Sequence, residues 1–275
     1  MNDKNLLYLY CVTDKEPVLD KASELVGNLY CLNVNDMYAV VNEVSKDDFD
    51  KDNLEKNIAD MEWLEKHVRI HESVIDAVMT EMELSLIPFK FATVFYTKDS
   101  LKLFMIDYSD GLKKNLYYLS NKEEWGVKIF FNKEQMEKSI LDSDQDVKEL
   151  DEKISSTSPG KAFFLKKKKT ELVKNLIQSK TNEYVKDCYK NLKNLSAQTK
   201  INKIQPKELS GKETEMILNV VFLVSMDNIP NFMDYVLDFR NQYSNKGFDM
   251  DCTGPWPAYN FCKIQDTTKD TTKDT

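Results

Sequence analysis

Apolar residues in this chain recur with two periods, near 2 in short runs and near 3.6 in longer ones, and the order of the runs suggests a fold. Residues 5–13 form an aromatic-rich run that predicts a strand. A short helix is predicted over 18–26 and a second strand over 29–34. Asn35-Asp36 then marks a turn into a third strand over 37–44, so the pair reads as a hairpin. The clearest helix runs over 53–82, with apolar residues at Leu54, Ile58, Met61, Leu64, Val68, Ile75, Val78 and Met82. Once His71 is included, every step is three or four residues, which makes one continuous stripe. Residues 86–95 predict a strand entered past Pro88, and a helix over 99–119 follows.

The second half repeats the order. A strand is predicted over 125–131, helices over 133–153 and 160–196, and a short strand over 200–205. The nearly all-apolar run over 215–225 suits a central strand covered on at least one face. A helix over 229–243 has Asp227 or Asn228 as cap and Pro230 near its first turn. Residues 248–264 supply a last extended segment that includes Gly254-Pro255-Trp256-Pro257, where two prolines hold an aromatic in one extended geometry.

Each half therefore reads β-α-β-β-α-β. The expected fold is α+β: two tandem ferredoxin-like (split βαβ) domains, the second with an enlarged helical crossover. The expected domains are 1–120 and 121–265, the second carrying a helical hairpin. The polar, low-complexity residues 266–275 form a tail expected to be disordered.

Charge narrows the function. The net charge is −8, and residues 1–120 hold 22 acidic against 13 basic side chains. That balance argues against general nucleic-acid binding, which wants a basic surface. Only Arg69 and Arg240 are arginines, so clustered guanidinium forks are absent. Five widely spaced cysteines without C-x-x-C read as free thiols in a reducing cytoplasm. With neither a charged-then-apolar leader nor an apolar run near ~18 residues, a secreted or membrane-spanning protein is not expected.

Candidate chemistry is thin. His67 and His71 sit four apart on a helix, a spacing that can bind zinc, but Ile75 stands where H-E-x-x-H needs its second histidine. His71 also completes the apolar stripe, so a structural histidine with hydrogen-bonded ring nitrogens is the favoured reading. Ser158-Pro159-Gly160-Lys161 lacks phosphate-loop spacing, and Pro159-Gly160 reads as a helix start. The basic run at residues 166–169 reads as a solvated face that offsets the acidic stretch 142–152, or as a docking surface for an acidic partner. No catalytic triad, cofactor site or metal site assembles from local signatures.

Five segments in order carry a resemblance: Arg69-Ile-His-Glu-Ser-Val-Ile-Asp76, Leu86-Ile-Pro-Phe-Lys-Phe-Ala-Thr-Val-Phe95, Glu124-Trp-Gly-Val-Lys-Ile-Phe130, Ser158-Pro-Gly-Lys-Ala-Phe-Phe-Leu165 and Gly254-Pro-Trp-Pro-Ala-Tyr-Asn-Phe261. Together they resemble the GvpL and GvpF family of gas vesicle accessory proteins, over about residues 5–264. This chain has Lys90-Phe91-Ala92 where the family usually shows Arg-Phe-Gly. It has Gly160-Lys161-Ala162-Phe163 where Gly-Arg-Ala-Tyr is usual, and Ala258 where Pro often precedes the tyrosine. Lysine keeps the charge but lacks the bidentate fork.

The resemblance implies a non-enzymatic, cytoplasmic protein associated with gas vesicles. It would be an accessory or minor structural component that binds the shell protein GvpA and other Gvp proteins during assembly, without cofactor, nucleic acid or membrane. Lys90, Trp125, Lys161, Trp256 and Tyr259 are the candidate partner-binding or structural residues. The competing reading is a tandem ferredoxin-like sensor that binds a small ligand.

Overall fold

In the computed structural model, which describes residues 4–81 and 85–262, β1 (Asn5–Thr13) is buried along almost its whole length. Alternation sends Leu6, Tyr8 and Tyr10 to one face. They pack there with Val40, Phe49, Val74, Ile75 and Val78. An irregularity between Leu9 and Cys11 shifts the pairing and adds Cys11 to the same cluster. A helix, α1 (Asp20–Leu25), precedes the hairpin of β2 (Tyr30–Val34) and β3 (Met37–Ser45). The turn between them places Asn35 and Asp36 at φ 51° and 60°, which suits the right-handed twist of the strands.

Helices α2 (Lys46–Phe49), α3 (Lys51–Ile58) and α4 (Met61–Glu81) follow, then two short strands, β4 (Leu86–Pro88) and β5 (Val94–Phe95). The sheet order is β2-β3-β1-β4, with β5 also on β1, and the pairs of β1 with β3, β4 and β5 and of β2 with β3 are antiparallel. Two further helices, α5 (Lys98–Asp107) and α6 (Ser109–Leu119), bury Leu101, Met105, Leu112 and Leu116. Phe104 of α5 packs against the rings of Phe89 and Phe95.

The second sheet is built from β6 (Lys122–Phe131), β7 (Gln198–Ile201), β8 (Glu215–Ser225) and β9 (Phe248–Trp256), in the order β7-β8-β6-β9. Between β6 and β7 lie α7 (Lys133–Ser143), α8 (Gln145–Ser155) and the 36-residue α9 (Pro159–Asn194). The short α10 (Lys207–Ser210) precedes β8, and α11 (Ile229–Tyr243) follows it. The core is apolar: Val127, Ile129, Val220, Phe222, Phe232 and Val236 are all buried. Phe222 and Phe232 meet edge to face with centroids 5.5 Å apart.

Two compact units result. One holds the residues up to Glu123 together with those from Pro255 onward, and the other spans Glu124 to Gly254. The segment from Pro255 onward thus groups with the first unit, whereas the expected second domain runs to residue 265.

Several long elements expected from periodicity are interrupted. The stripe over 53–82 splits because Asp60 accepts from the backbone N–H groups of Glu62 and Trp63 and so caps α4. Ile58 and Met61, at the break, are exposed rather than core. Asp144 caps α8 in the same way and divides 133–153. The strand over 86–95 is broken by a turn in which Ala92 takes φ 61°. The run expected as a strand from Tyr259 is a turn through Phe261, closed by bonds from the N–H groups of Phe261 and Cys262 to Ala258 O. Met82, Lys263, Ile264 and the tail 266–275 lie outside the described residues.

Candidate functional site

The polar centre of the first unit begins with Tyr8, which β1 turns toward α4. Its hydroxyl lies 2.9 Å from Nδ1 of His71 and accepts the Ala92 N–H at 2.8 Å. Nε2 of His71 lies 3.1 Å from Phe89 O and 3.2 Å from the Tyr259 hydroxyl, which donates to Glu72 Oε1 at 3.3 Å. Because a carbonyl can only accept, the proton belongs on Nε2. Nδ1 then accepts from Tyr8, and the Nε2 hydrogen is shared between Phe89 O and the Tyr259 oxygen, whose own hydrogen goes to Glu72.

A second proton on the ring would point at Tyr8 and displace its hydroxyl hydrogen. Burial acts in the same direction and lowers the His71 pKa to about 4, against the Phe89 hydrogen bond, which raises it. Burial likewise pushes up the hydroxyls of Tyr8, Tyr10 and Tyr259 and the carboxyl of Glu72. The imidazole is therefore neutral at ordinary pH and has both nitrogens occupied. It has no lone pair to offer a metal or a substrate, and its work is to tie segments together.

Three of the five resemblance segments meet here: residues 69–76 through His71 and Glu72, 86–95 through Phe89 and Ala92, and 254–261 through Tyr259. His67 faces elsewhere, its Nδ1 2.7 Å from Trp63 O and its ring stacked on Trp63 at 3.9 Å. Among the described residues no group of three or more His, Cys, Asp or Glu is arranged to hold a metal. A cleft of about 230 Å³ adjoins the network, lined in part by Tyr10, Asn42, Phe49 and His67.

The other two tryptophans of interest concern β9. Gly254 sits at φ 143°, and a Cβ there would lie 2.8 Å from the Trp125 ring and 2.9 Å from Glu124 O. Only glycine allows β9 to lie this close to Trp125. Two residues later Trp256 ends the strand 46% exposed. β9 is the terminal strand of its sheet.

Of the five expected residues, then, Tyr259 joins the His71 network and Trp125 underlies the strand that ends at Trp256. Lys90 and Lys161 are exposed, on the turn after β4 and on the first turn of α9. They do not form a single site. Sequence reading missed Tyr8, whose role depends on a partner 63 residues away. It also missed Ala92 as a left-handed position, for which the glycine usual in the resembling family was the available signal.

The sequence profile described as gas vesicle synthesis protein GvpL/GvpF matches residues 6–263. The chain is similar to gas vesicle protein L of Streptomyces sp. (strain CB03234), 23% identical over 96% of this chain and 95% of that protein. It is similar also to gas vesicle protein L1 of Halobacterium salinarum, 23% identical over 92% and 89%. The fold resembles the crystal structures of GvpF from Anabaena sp. PCC7120, with TM-score 0.62 and 16% identity over 95% of this chain and 99% of that one, and from Microcystis aeruginosa, with TM-score 0.60 and 18% identity over 94% and 99%. Among the described residues no helix is long and apolar enough to cross a membrane. With a profile match from near the start of β1 to just past Tyr259, this chain belongs to the GvpL/GvpF family of gas vesicle proteins.

Proposed function

We propose that this protein is a non-catalytic accessory or minor structural component of gas vesicles, acting in the cytoplasm. It binds the shell protein GvpA and other Gvp proteins during assembly. The observation that carries this reading is membership of the family over residues 6–263. We also read both units as ferredoxin-like domains, the second with an enlarged helical crossover. In each unit the second strand is an edge, the third and first are central, and the fourth is the opposite edge, which is the order a split βαβ unit requires.

The partner contact is placed on β9. An edge strand offers unpaired N–H and C=O groups to another chain, and an exposed indole beside it supplies an apolar anchor. Shell subunits before assembly are chains with edges and apolar surface to cover, and such an edge suits them. In this reading Trp256 makes the contact, while Trp125 and Tyr259 hold the chain on either side of it. Lys90 and Lys161 offer exposed cations to acidic groups of a partner.

The test is a pull-down of purified GvpA by the wild type and by Trp256→Ser combined with Thr253→Pro. At least a tenfold loss of captured GvpA, in a variant with unchanged circular dichroism, supports the placement. Undiminished capture moves the surface away from β9, and absence of capture by the wild type overturns the binding itself.

A further inference from the structure

The first turns of α9 project two exposed phenylalanines, Phe163 at 68% and Phe164 at 72%, edge to face with centroids 5.8 Å apart. Water-exposed aromatic pairs on a helix leave apolar area uncovered. Along one face of α9, Phe163, Lys166, Thr170, Val173 and Ile177 succeed each other in steps of three and four, the spacing of a helix–helix seam. The lower part of that face is buried, with Val173 and Ile177 in the core, and the upper part is open. A cleft of about 560 Å³ runs along this face from Lys166 to Ile177, below Phe163, and Leu141 of α7 and Ile154 of α8 also line it.

The rim of this cleft has a sign opposite to the chain as a whole. Lys133, Lys166, Lys169 and Lys174 line it against Glu137 and Asp151. Asp151 is already taken, since both of its carboxylate oxygens accept from Lys169 Nζ, at 2.7 and 2.6 Å. Among the described residues Lys133, Lys166 and Lys174 form no ion pair, which leaves a locally cationic, apolar-floored groove in a protein of net charge −8. Residues 159–177 carry six lysines and one glutamate.

The geometry points to a docking groove for an acidic amphipathic helix of a partner protein. An apolar floor between helices accepts the ridge of another helix, and the lysine rim selects one with carboxylates beside its apolar stripe. From Phe163 to Ile177 the seam is about 21 Å long, enough for roughly four turns of partner helix. The groove is lined by residues of α7, α8 and α9 and by none of β9, so this inference stands apart from the β9 contact.

The probe is a labelled 18-residue synthetic peptide with leucines spaced three and four apart and glutamates elsewhere, followed by fluorescence anisotropy with the full chain. A second peptide replaces every glutamate with lysine, and a third arm uses phosphatidylserine–phosphatidylcholine vesicles. We expect saturable binding of the acidic peptide, at least tenfold tighter than of the lysine peptide, with methyl resonances of Leu141 and Ile154 shifted. Lys166→Glu with Lys174→Glu, both exposed positions, is expected to weaken binding at least tenfold without changing the melting temperature, and Phe163→Ser to weaken it severalfold. Equal binding of the two peptides, undiminished binding by the double variant, or binding of vesicles without binding of the acidic peptide would each overturn the inference.

Discussion

Beneath β1, the first unit buries hydroxyls, an imidazole and an amide at Tyr8, Tyr10, His71 and Asn42, whereas beneath β8 the second unit buries Phe222, Phe232, Val220 and Val224. The two sheets share a strand order, yet the first adds to its apolar core a linked set of partners that must be satisfied in direction, while the second, apart from Asn219 and Glu124, is filled with volume. Apolar packing is non-directional and indifferent to protons. A polar network fixes which segments meet, and it is costly when one member is lost or charged. The first unit uses that specificity to anchor the turn after β4 and the segment after β9. The second has one long buried strand that needs no such anchor.

Changes in the second core should be the most severe and should ignore pH. Phe222→Ala is expected to cost about 3–5 kcal/mol, read from urea unfolding at pH 5 and pH 7.5 with the same loss at both. A loss that varies with pH would break the contrast between the units.

The His71 network should give the protein an acid sensitivity of about 3 kcal/mol. In the folded state His71 titrates at about 4, from an ordinary value of 6.5. Between those values the unfolded chain binds more protons, so this contribution is complete above pH 6.5 and is lost as pH falls toward 4. Glu72 and Asp76, whose carboxyls burial raises, act with the opposite sign and offset part of the loss. The comparison is therefore made against His71→Gln: the slope of stability between pH 6.5 and 4 should flatten in the variant. Parallel slopes would show that His71 is not the group responsible.

The smallest expected effect is a gain. Ala92 holds φ 61°, where a Cβ is strained, and its N–H is fixed by the Tyr8 hydroxyl. Ala92→Gly should stabilise by about 0.5–1 kcal/mol, the relief of strain exceeding the added entropy of the unfolded chain. Thermal melts at pH 7.5 would show it, and a destabilised variant would mean that the turn tolerates alanine without strain.

How much of this was legible in the sequence depended on whether one force acted alone. The strand β8 and the helix α11 were read at their observed bounds, because a continuous apolar run and a proline near a first turn have few competing outcomes. The helix over 53–82 was not, because Asp60 takes two backbone donors at a point where the hydrophobic period continues unbroken. Residues 86–95 look like one strand on propensity, but Pro88 and the left-handed Ala92 divide them. At the candidate sites, the reading of His71 as a hydrogen-bonded core histidine matches the structure. Tyr259 was singled out by its motif alone, and its bond to a histidine 188 residues away is a tertiary fact with no local signature. Phe163 and Phe164 looked like part of a motif, and only the structure shows them uncovered.

The passage of the chain out of the first unit at Glu123 and back at Pro255 has a consequence for biosynthesis. Ala258, Tyr259 and Phe261 bring two buried apolar side chains and a hydroxyl that His71 needs. A ribosome delivers them only after all of the second unit has been made. The unit that begins first is therefore completed last, and until then the nascent chain carries a half-built core whose closing piece has not yet been translated.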